Sequence, residues 1–304
     1  MSPLRRVAGT ALTVLAVLVT VFVLVRVLPG DPVEVLLGER ASGADRQALR
    51  ADLGLDRPLP AQLADYLGAL ARLDLGQSLR HHAPVTDLIA ARLPATLELT
   101  ATALALAVAL ALPLGVLMAV RRDAASGRLA GALTLLALAL PGFWFGPLLV
   151  LLFAVWLGWL PVAGRAGLAS LLLPALTLAL GLAAGLARQL AANLAETLAA
   201  EHVRTARAKG LAPAQVLWRH GVRNALLPVT TLFGLQLGAL LGGAVITETV
   251  FAWPGVGALT VEAINARDYP LLQGCVLLIA TIYVLVNGLT DLAYGWIDPR
   301  VRRP

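Results

Sequence analysis

Side chains able to do covalent or metal chemistry are few in this 304-residue sequence, and their spacing speaks against both. His81 and His82 are adjacent, so their rings cannot converge as a helical i, i+4 pair does. No acidic cluster is spaced to join them, whereas a zinc site wants three or four converging ligands. The one cysteine, Cys275, stands in an apolar run, has no partner for an internal disulfide and reads as small core packing. No Ser-His-Asp or Cys-His set stands at the middle of an apolar stretch, so nucleophilic hydrolysis within a membrane lacks its residues. No G-x-x-x-x-G-K-[ST] phosphate loop occurs, so the chain has no energy source of its own. What remains is fixed charge. Residues 201–228 read EHVRTARAKGLAPAQVLWRHGVRNALLP and gather Arg204, Arg207, Lys209, Arg219 and Arg223, with Arg188 upstream, Gly210 near the middle and Pro228 at the end. A helix-forming basic insert of this kind is suited to being gripped by a partner.

The elements around that insert are apolar. The chain is 59% hydrophobic and 14% charged, against roughly 25% charged residues in soluble domains. Six stretches, near 8–28, 97–120, 130–157, 168–190, 226–248 and 271–292, are long enough to cross a bilayer, which takes about 20 apolar residues. The first is uncharged from Ala8 to Val25 and lacks a following A-x-A site, so it reads as a retained anchor. Arg5 and Arg6, then Arg121, Arg122 and Arg128, the basic insert, and finally Arg300, Arg302 and Arg303 all fall on one side of a six-span chain. Cationic loops mark the cytoplasm, so both termini are expected there. The net charge of +6 reflects this asymmetry. No basic patch is interleaved with stacking aromatics, which excludes nucleic acid as a partner.

The opposite link, 29–95, holds nine Asp or Glu against seven Arg and has turn signals at Leu28–Pro32 and Asp56–Pro58. Leu59, Leu63, Tyr66, Leu67, Leu70 and Leu73 recur at helical spacing, which predicts a short amphipathic helix over 59–73. Packing on the span ends or the lipid surface and docking to an external partner both remain open for its apolar face. Within the spans, Gly142/Gly146, Gly181/Gly185 and Gly238/Gly242 form small-x-x-x-small pairs that let helices approach. Pro113, Pro141, Pro147, Pro174 and Pro228 sit in spans or at their edges, where they kink or start helices. Glu98, Glu248 and Asp291 lie near span ends, where water is expected to reach them, and Arg188 can snorkel. The absence of a midplane charge and of an internal repeat argues against an ion- or proton-coupled secondary carrier.

Several strings carry a resemblance. Val203-Arg-Thr-Ala-Arg-Ala-Lys-Gly-Leu211 resembles the cytoplasmic signature of ABC importer membrane subunits, in the form found in dipeptide and oligopeptide permeases. Leu28–Pro32, Asp74-Leu-Gly-Gln-Ser78, Arg92-Leu-Pro-Ala-Thr-Leu-Glu-Leu99, Glu248-Thr-Val-Phe-Ala-Trp-Pro-Gly255, Ala266-Arg-Asp-Tyr-Pro270 and Asp298-Pro-Arg300 match the same family in order, over nearly the whole chain. One departure stands at Val222-Arg223: the general signature has a Leu-Pro pair there, while here the proline is Pro228. The peptide-permease variant shares that change, which leaves the end of the signature segment open.

The resemblance implies an all-α integral membrane protein of six transmembrane helices in the type I ABC importer permease fold, placed in the bacterial inner membrane. It divides the chain into a cytoplasmic tail and first helix (1–28), a partly helical external segment (29–95) and a transmembrane domain (96–304) containing a coupling segment at 201–224. Implied partners are membrane lipid, a second homologous permease subunit, two cytoplasmic ABC ATPases and an external solute-binding protein. The segment around Gly210 would enter a cleft of the ATPase, which makes Arg204, Thr205, Ala206, Arg207, Ala208, Lys209, Gly210, Leu211 and Arg219 the coupling candidates. Gln236 and Asn287 are the pore-lining candidates. No catalytic, cofactor or metal residue is implied, since ATP hydrolysis belongs to the partners. The expected mechanism is alternating access driven by ATPase closure. Expected cargo is di- or oligopeptides, with nickel chelates or another small solute as alternatives within the family and a self-sufficient carrier as the alternative outside it.

Overall fold

Hydrophobic runs punctuated by glycine and proline produce helices and little else. The structure is a computed structural model that describes residues 3–27, 32–37 and 42–297. Leu28 to Asp31, Asp298, Pro299, Arg300, Arg302 and Arg303, which figured in the sequence reading, lie outside the described residues. The helices are α1 (Pro3–Val27), α2 (Pro32–Leu37), α3 (Gly43–Asp52), α4 (Leu59–Leu70), α5 (Val85–Val120), α6 (Ala125–Ala139) and α7 (Gly142–Leu149), which runs on as a π-helical stretch, Val150–Trp156. They continue with α8 (Leu168–Ala199), α9 (Glu201–Ala208), α10 (Pro213–Gln215), a second π-helical stretch, Val216–Val222, then α11 (Arg223–Val250), α12 (Val256–Asn265) and α13 (Tyr269–Ile297).

Among the described residues, α5, α8 and the Tyr269–Gly288 part of α13 are long and apolar enough to cross a membrane, and the α6–α7 pair makes a fourth if it is one bent span. α5 has 36 residues, about 54 Å at 1.5 Å per residue, against roughly 30 Å of hydrocarbon. It therefore extends well beyond the apolar run at 97–120, starting at Val85. α8 likewise continues past Arg188 to Ala199. The expected third span, 130–157, is not one straight helix: α6 and α7 meet at 106°. The cause is Pro141, which has no N–H to continue α6 and forces Leu140 before it to extended backbone, at ψ 137.

The chain forms two compact units, one of residues 1–96 and 254–284, the other of 97–253 and 285–304. In the second, α8 packs against α6, α7 and α11. Ala107, Ala111 and Met118 of α5 join Leu182, Leu186, Leu190 and Leu194 of α8 and Val222, Ala225 and Val229 in one core. Small residues let these helices approach. A Cβ on Gly115 would stand 2.9 Å from both Ala187 O and Leu190 Cδ2, and one on Gly146 would stand 3.2 Å from Phe251 Cε2. Gly142, Gly181 and Gly242, from the expected small-residue pairs, meet nothing within 4 Å. Gly115→Val is thus expected to overpack the α5–α8 contact and cost about 1–3 kcal/mol. Thermal unfolding of the detergent-solubilised protein checks this, with Gly242→Ala as the near-neutral control. An unchanged melting temperature for Gly115→Val would show that α5 and α8 do not close on each other there.

Residues 157–167 are tied down in the same unit. Arg165 donates to Glu98 Oε2 through Nε at 3.0 Å and one terminal nitrogen at 2.6 Å, and Gly164 N–H donates to Phe251 O at 2.8 Å. Glu98, paired with Arg165, is partly exposed, whereas Glu248, expected to be within reach of water, is fully buried. The chain folds back over the last turn of α11, where Trp253 is itself fully buried and its N–H donates to Glu248 O at 2.8 Å.

The first unit is built around Val85 and Ile89 of α5, Val256, Leu259 and Ala263 of α12, and Leu271 and Cys275 of α13. Its polar centre is Asp268, fully buried at the start of α13. Asp268 Oδ1 accepts Leu271 N–H at 3.2 Å, as a helix N-cap does. Its Oδ2 accepts the Ser78 hydroxyl at 2.5 Å and Arg80 N–H at 3.1 Å. Ser78 Oγ accepts His81 N–H at 2.9 Å, and Asp74 Oδ1 accepts Gly76 N–H at 2.8 Å, so residues 74–82 form a tight loop locked onto α13. Thr96 Oγ1 accepts Val256 N–H at 2.8 Å, which satisfies one of the orphan donors at the start of α12.

The amphipathic helix materialises as α4. Leu63, Tyr66, Leu67 and Leu70 are half-buried, Tyr66 stacks on Phe22 of α1 at 5.7 Å, and Arg26 Nε donates to Gln62 Oε1 at 2.9 Å. Burial against α1 pushes the Tyr66 phenol pKa up, partly offset by Arg26. Leu59 and Leu73, at the ends of the expected stripe, remain exposed.

Candidate functional site

The 201–224 segment owes its shape to three apolar side chains and one glycine. α9 begins after Ala200, whose backbone is extended at ψ 151. Val203 and Ala206, one turn apart, bury against Val216 with Leu198 and Leu211 at the edge. α9 ends in a Schellman motif: Gly210 takes φ +77, its N–H donates to Arg207 O at 3.0 Å, and Leu211 N–H reaches Ala206 O at 3.4 Å. Leu211 then packs back on the cluster, the hydrophobic contact that accompanies this cap. A residue with a Cβ strains at positive φ, so the turn requires glycine for conformation; no neighbour crowds it. Pro213, pre-set for a first helical position, starts the return.

From Val216 the return is π-helical and passes at Arg223 straight into α11. The position where the family's general signature has proline is therefore a π-to-α junction inside continuous helix, and Pro228 lies within α11. The end left open by the sequence is not a stop: the segment ends by becoming the next long helix. Gly221 makes the return possible, since a Cβ there would stand 3.0 Å from Leu194 Cδ1 and 3.1 Å from Leu198 Cδ2 of α8.

This fold sorts the expected site residues. Arg204, Thr205, Arg207, Ala208, Lys209, Gly210 and Arg219 are exposed, Leu211 is half-buried and Ala206 is buried. Arg204 pairs with Glu201 at 2.7 Å, both well exposed, a geometry that contributes little to stability. Thr205 Oγ donates to Glu201 O at 3.1 Å. Arg207, Lys209 and Arg219 form no ion pair with a described residue. They stand on a surface that also exposes Trp218 and Arg223. Asn224 Nδ2 donates to His220 O at 2.8 Å and lies 3.4 Å from His202 Nε2, bridging the two arms of the turn. Val203, Val216 and Gly221 were not singled out from sequence; the apolar pair at 203 and 206 within a charged stretch was the available signal.

The same unit contains a cavity of about 260 Å³ bordered by α7, α8 and α11, with Gly142, Phe143, Thr177, Gly181, Gln236 and Thr247 in its wall. No wall residue is ionisable. Gln236 is held where a Cβ on Gly185 would stand 3.4 Å from its Nε2, so that glycine leaves room for the amide. Asn287, half-buried on α13, does not line this cavity.

Comparison with known proteins agrees in extent and fold. Residues 111–303 match the family model described as binding-protein-dependent transport system inner membrane component, and residues 3–100 match the companion N-terminal model. The chain is 42% identical over 299 residues to the glutathione transport system permease protein GsiC of Pectobacterium atrosepticum, covering 98% of each. It is 41% identical over 327 residues to the di/tripeptide transport system permease protein DppB of Pseudomonas aeruginosa, covering 98% of this chain and 97% of the relative. Among solved structures, an inward-facing form of the MetNI methionine ABC transporter superposes with a TM-score of 0.60 at 19% identity, covering 70% of this chain and 97% of that one, which bears on the fold alone. The all-helical architecture, the apolar spans and these full-length matches make the chain a member of the binding-protein-dependent transport system inner membrane component family: a multi-pass, non-catalytic permease subunit of an ABC importer.

Proposed function

We propose that the chain forms half of the pathway for di- or tripeptide-sized solutes, glutathione included, and couples it through residues 201–224 to separate ATPases. Six crossings serve this role, with α1 and α11 added to the four apolar spans, both termini in the cytoplasm, residues 29–95 outside and 96–304 as the transmembrane domain. A second, homologous permease completes the pathway, two ATPases sit beneath, and an external binding protein delivers cargo. The observation that carries the reading is the Schellman-capped turn, rigidly backed by Val203, Ala206 and Val216 and displaying Arg207, Lys209 and Arg219 outward. Full-length relatives whose names specify glutathione and di/tripeptide transport support the cargo class.

In the mechanism, ATPase closure pushes on this turn. Because the return arm is continuous with α11, the push reaches the helix that carries Gln236 without an intervening loop. Hydrolysis resets the pathway to its inward-facing state. Gln236 is the pathway's amide in this subunit, and Asn287 stays a candidate on the last helix. The test is affinity purification of the tagged chain, which should bring down a second permease and an ATPase. Replacing Arg207, Lys209 and Arg219 together by Glu is expected to cut ATPase recovery by about tenfold or more while the second permease still copurifies. Full ATPase recovery with the charges reversed would remove the docking role, and an isolated chain active alone in liposomes would overturn the importer reading.

A further inference from the structure

The cavity beside Gln236 carries a second reading, which rests on its being part of the transport pathway. Several helix glycines in this unit answer to crowding: a Cβ on Gly115, Gly146, Gly185 or Gly221 would come within 3.4 Å of a neighbour, whereas Gly242, away from the cavity wall, is uncrowded. The two glycines of the cavity wall are uncrowded as well. A Cβ on Gly142 or Gly181 would meet nothing within 4 Å, and neither residue has positive φ. Gly181 stands inside α8, where glycine costs about 1 kcal/mol relative to alanine. Neither helix contact nor backbone conformation requires glycine at these positions. What the absent side chains leave is space, on the wall that also holds the Gln236 amide.

We propose that Gly142 and Gly181 set the bore of this cavity, and that the subunit screens passing solutes by girth at this level. A Cβ at either position meets no neighbour, and a leucine there would extend from the wall of a space of about 260 Å³, so its effect is expected on what passes more than on the fold. Alanine would narrow the bore slightly, valine further and leucine most.

The test uses the importer purified with its partner subunits. Cys275, the chain's one cysteine, is replaced by alanine, and Ile246→Cys supplies a reporter thiol in the cavity wall without touching the Gln236 amide. Adding Gly181→Leu is expected to slow labelling by bulky fluorescein maleimide about tenfold or more, and labelling by the small reagent methanethiosulfonate ethylammonium by no more than about twofold. Gly142→Leu should reproduce the pattern and stands in if the first variant does not assemble. In the chain without the reporter cysteine, the same leucines should lower uptake of the broad dipeptide diphenylalanine more than uptake of the slim dialanine. Equal slowing of both reagents, or of neither, overturns the inference. A separate arm tests the underlying reading: if bulky labelling of the reporter thiol leaves uptake intact, the cavity is off the pathway. If that labelling blocks uptake while the leucine variants label at the parent rate, the pathway stands and the bore inference alone falls.

Discussion

Replacement of Gly210 by proline is expected to abolish uptake and stimulated ATP hydrolysis in the assembled importer while leaving membrane insertion intact. The native φ of +77 is unreachable for a ring that holds φ near −65. The substitution also deletes the N–H that donates to Arg207 O, and it disfavours the helical backbone of the preceding residue, Lys209. The Schellman turn must open, so the exposed cations and the π-helical return lose their fixed relation. Gly210→Ala separates the possible causes. With nothing within 4 Å of the added Cβ, alanine pays only for left-handed backbone, about 1–2 kcal/mol, and should reduce coupling without abolishing it. Asparagine, which tolerates that conformation, should restore most activity. If alanine, asparagine and proline are equally inactive, the position needs an absent side chain at the partner surface and not a backbone angle. Normal transport by Gly210→Pro would sink the coupling assignment. ATP-driven uptake and ATPase assays in proteoliposomes, with membrane-fraction blots for insertion, read all three.

Asp268→Ala is expected to be the most destabilising single change in the first unit. It strips acceptors from the Ser78 hydroxyl, Arg80 N–H and Leu271 N–H at a fully buried position. Each orphaned buried donor costs about 1–3 kcal/mol, less than additively. The α13 N-cap is lost as well, so a total of about 3–5 kcal/mol is expected. The melting temperature should fall by several degrees, and limited proteolysis should open first within 74–84, the loop that Asp268 holds. Ser78→Ala removes one donor together with its need for an acceptor and should cost far less. A melting curve for Asp268→Ala that matches the parent would mean the loop is held by something other than this carboxylate.

Much of this molecule was legible before any coordinate. The basic, glycine-centred insert stood out because fixed charge in an apolar chain is conspicuous, and the helical spacing of Leu63, Tyr66, Leu67 and Leu70 announced α4. Small-x-x-x-small pairs proved a weaker guide: Gly146 and Gly185 do make close contacts, but so does Gly115 against α8, outside those pairs. Spacing records where a helix can approach another; it does not record which neighbour arrives. Glu248 illustrates the same limit, since its place near a span end suggested water, while the fold-back through Trp253 buries it.

By itself the sequence determined the class, the all-helical apolar character, the polar insert and the lack of a phosphate loop, because hydropathy, charge and motif are properties of composition and local order. Tertiary structure alone decided two things. It joined Ser78 to Asp268 across 190 residues, a pairing that no local pattern encodes. It also carried the 201–224 segment through a π-helical turn into α11, because Gly221 lets that turn lie against Leu194 and Leu198. Each of these depends on which side chain meets which neighbour at van der Waals distance, and that is settled only when the helices pack.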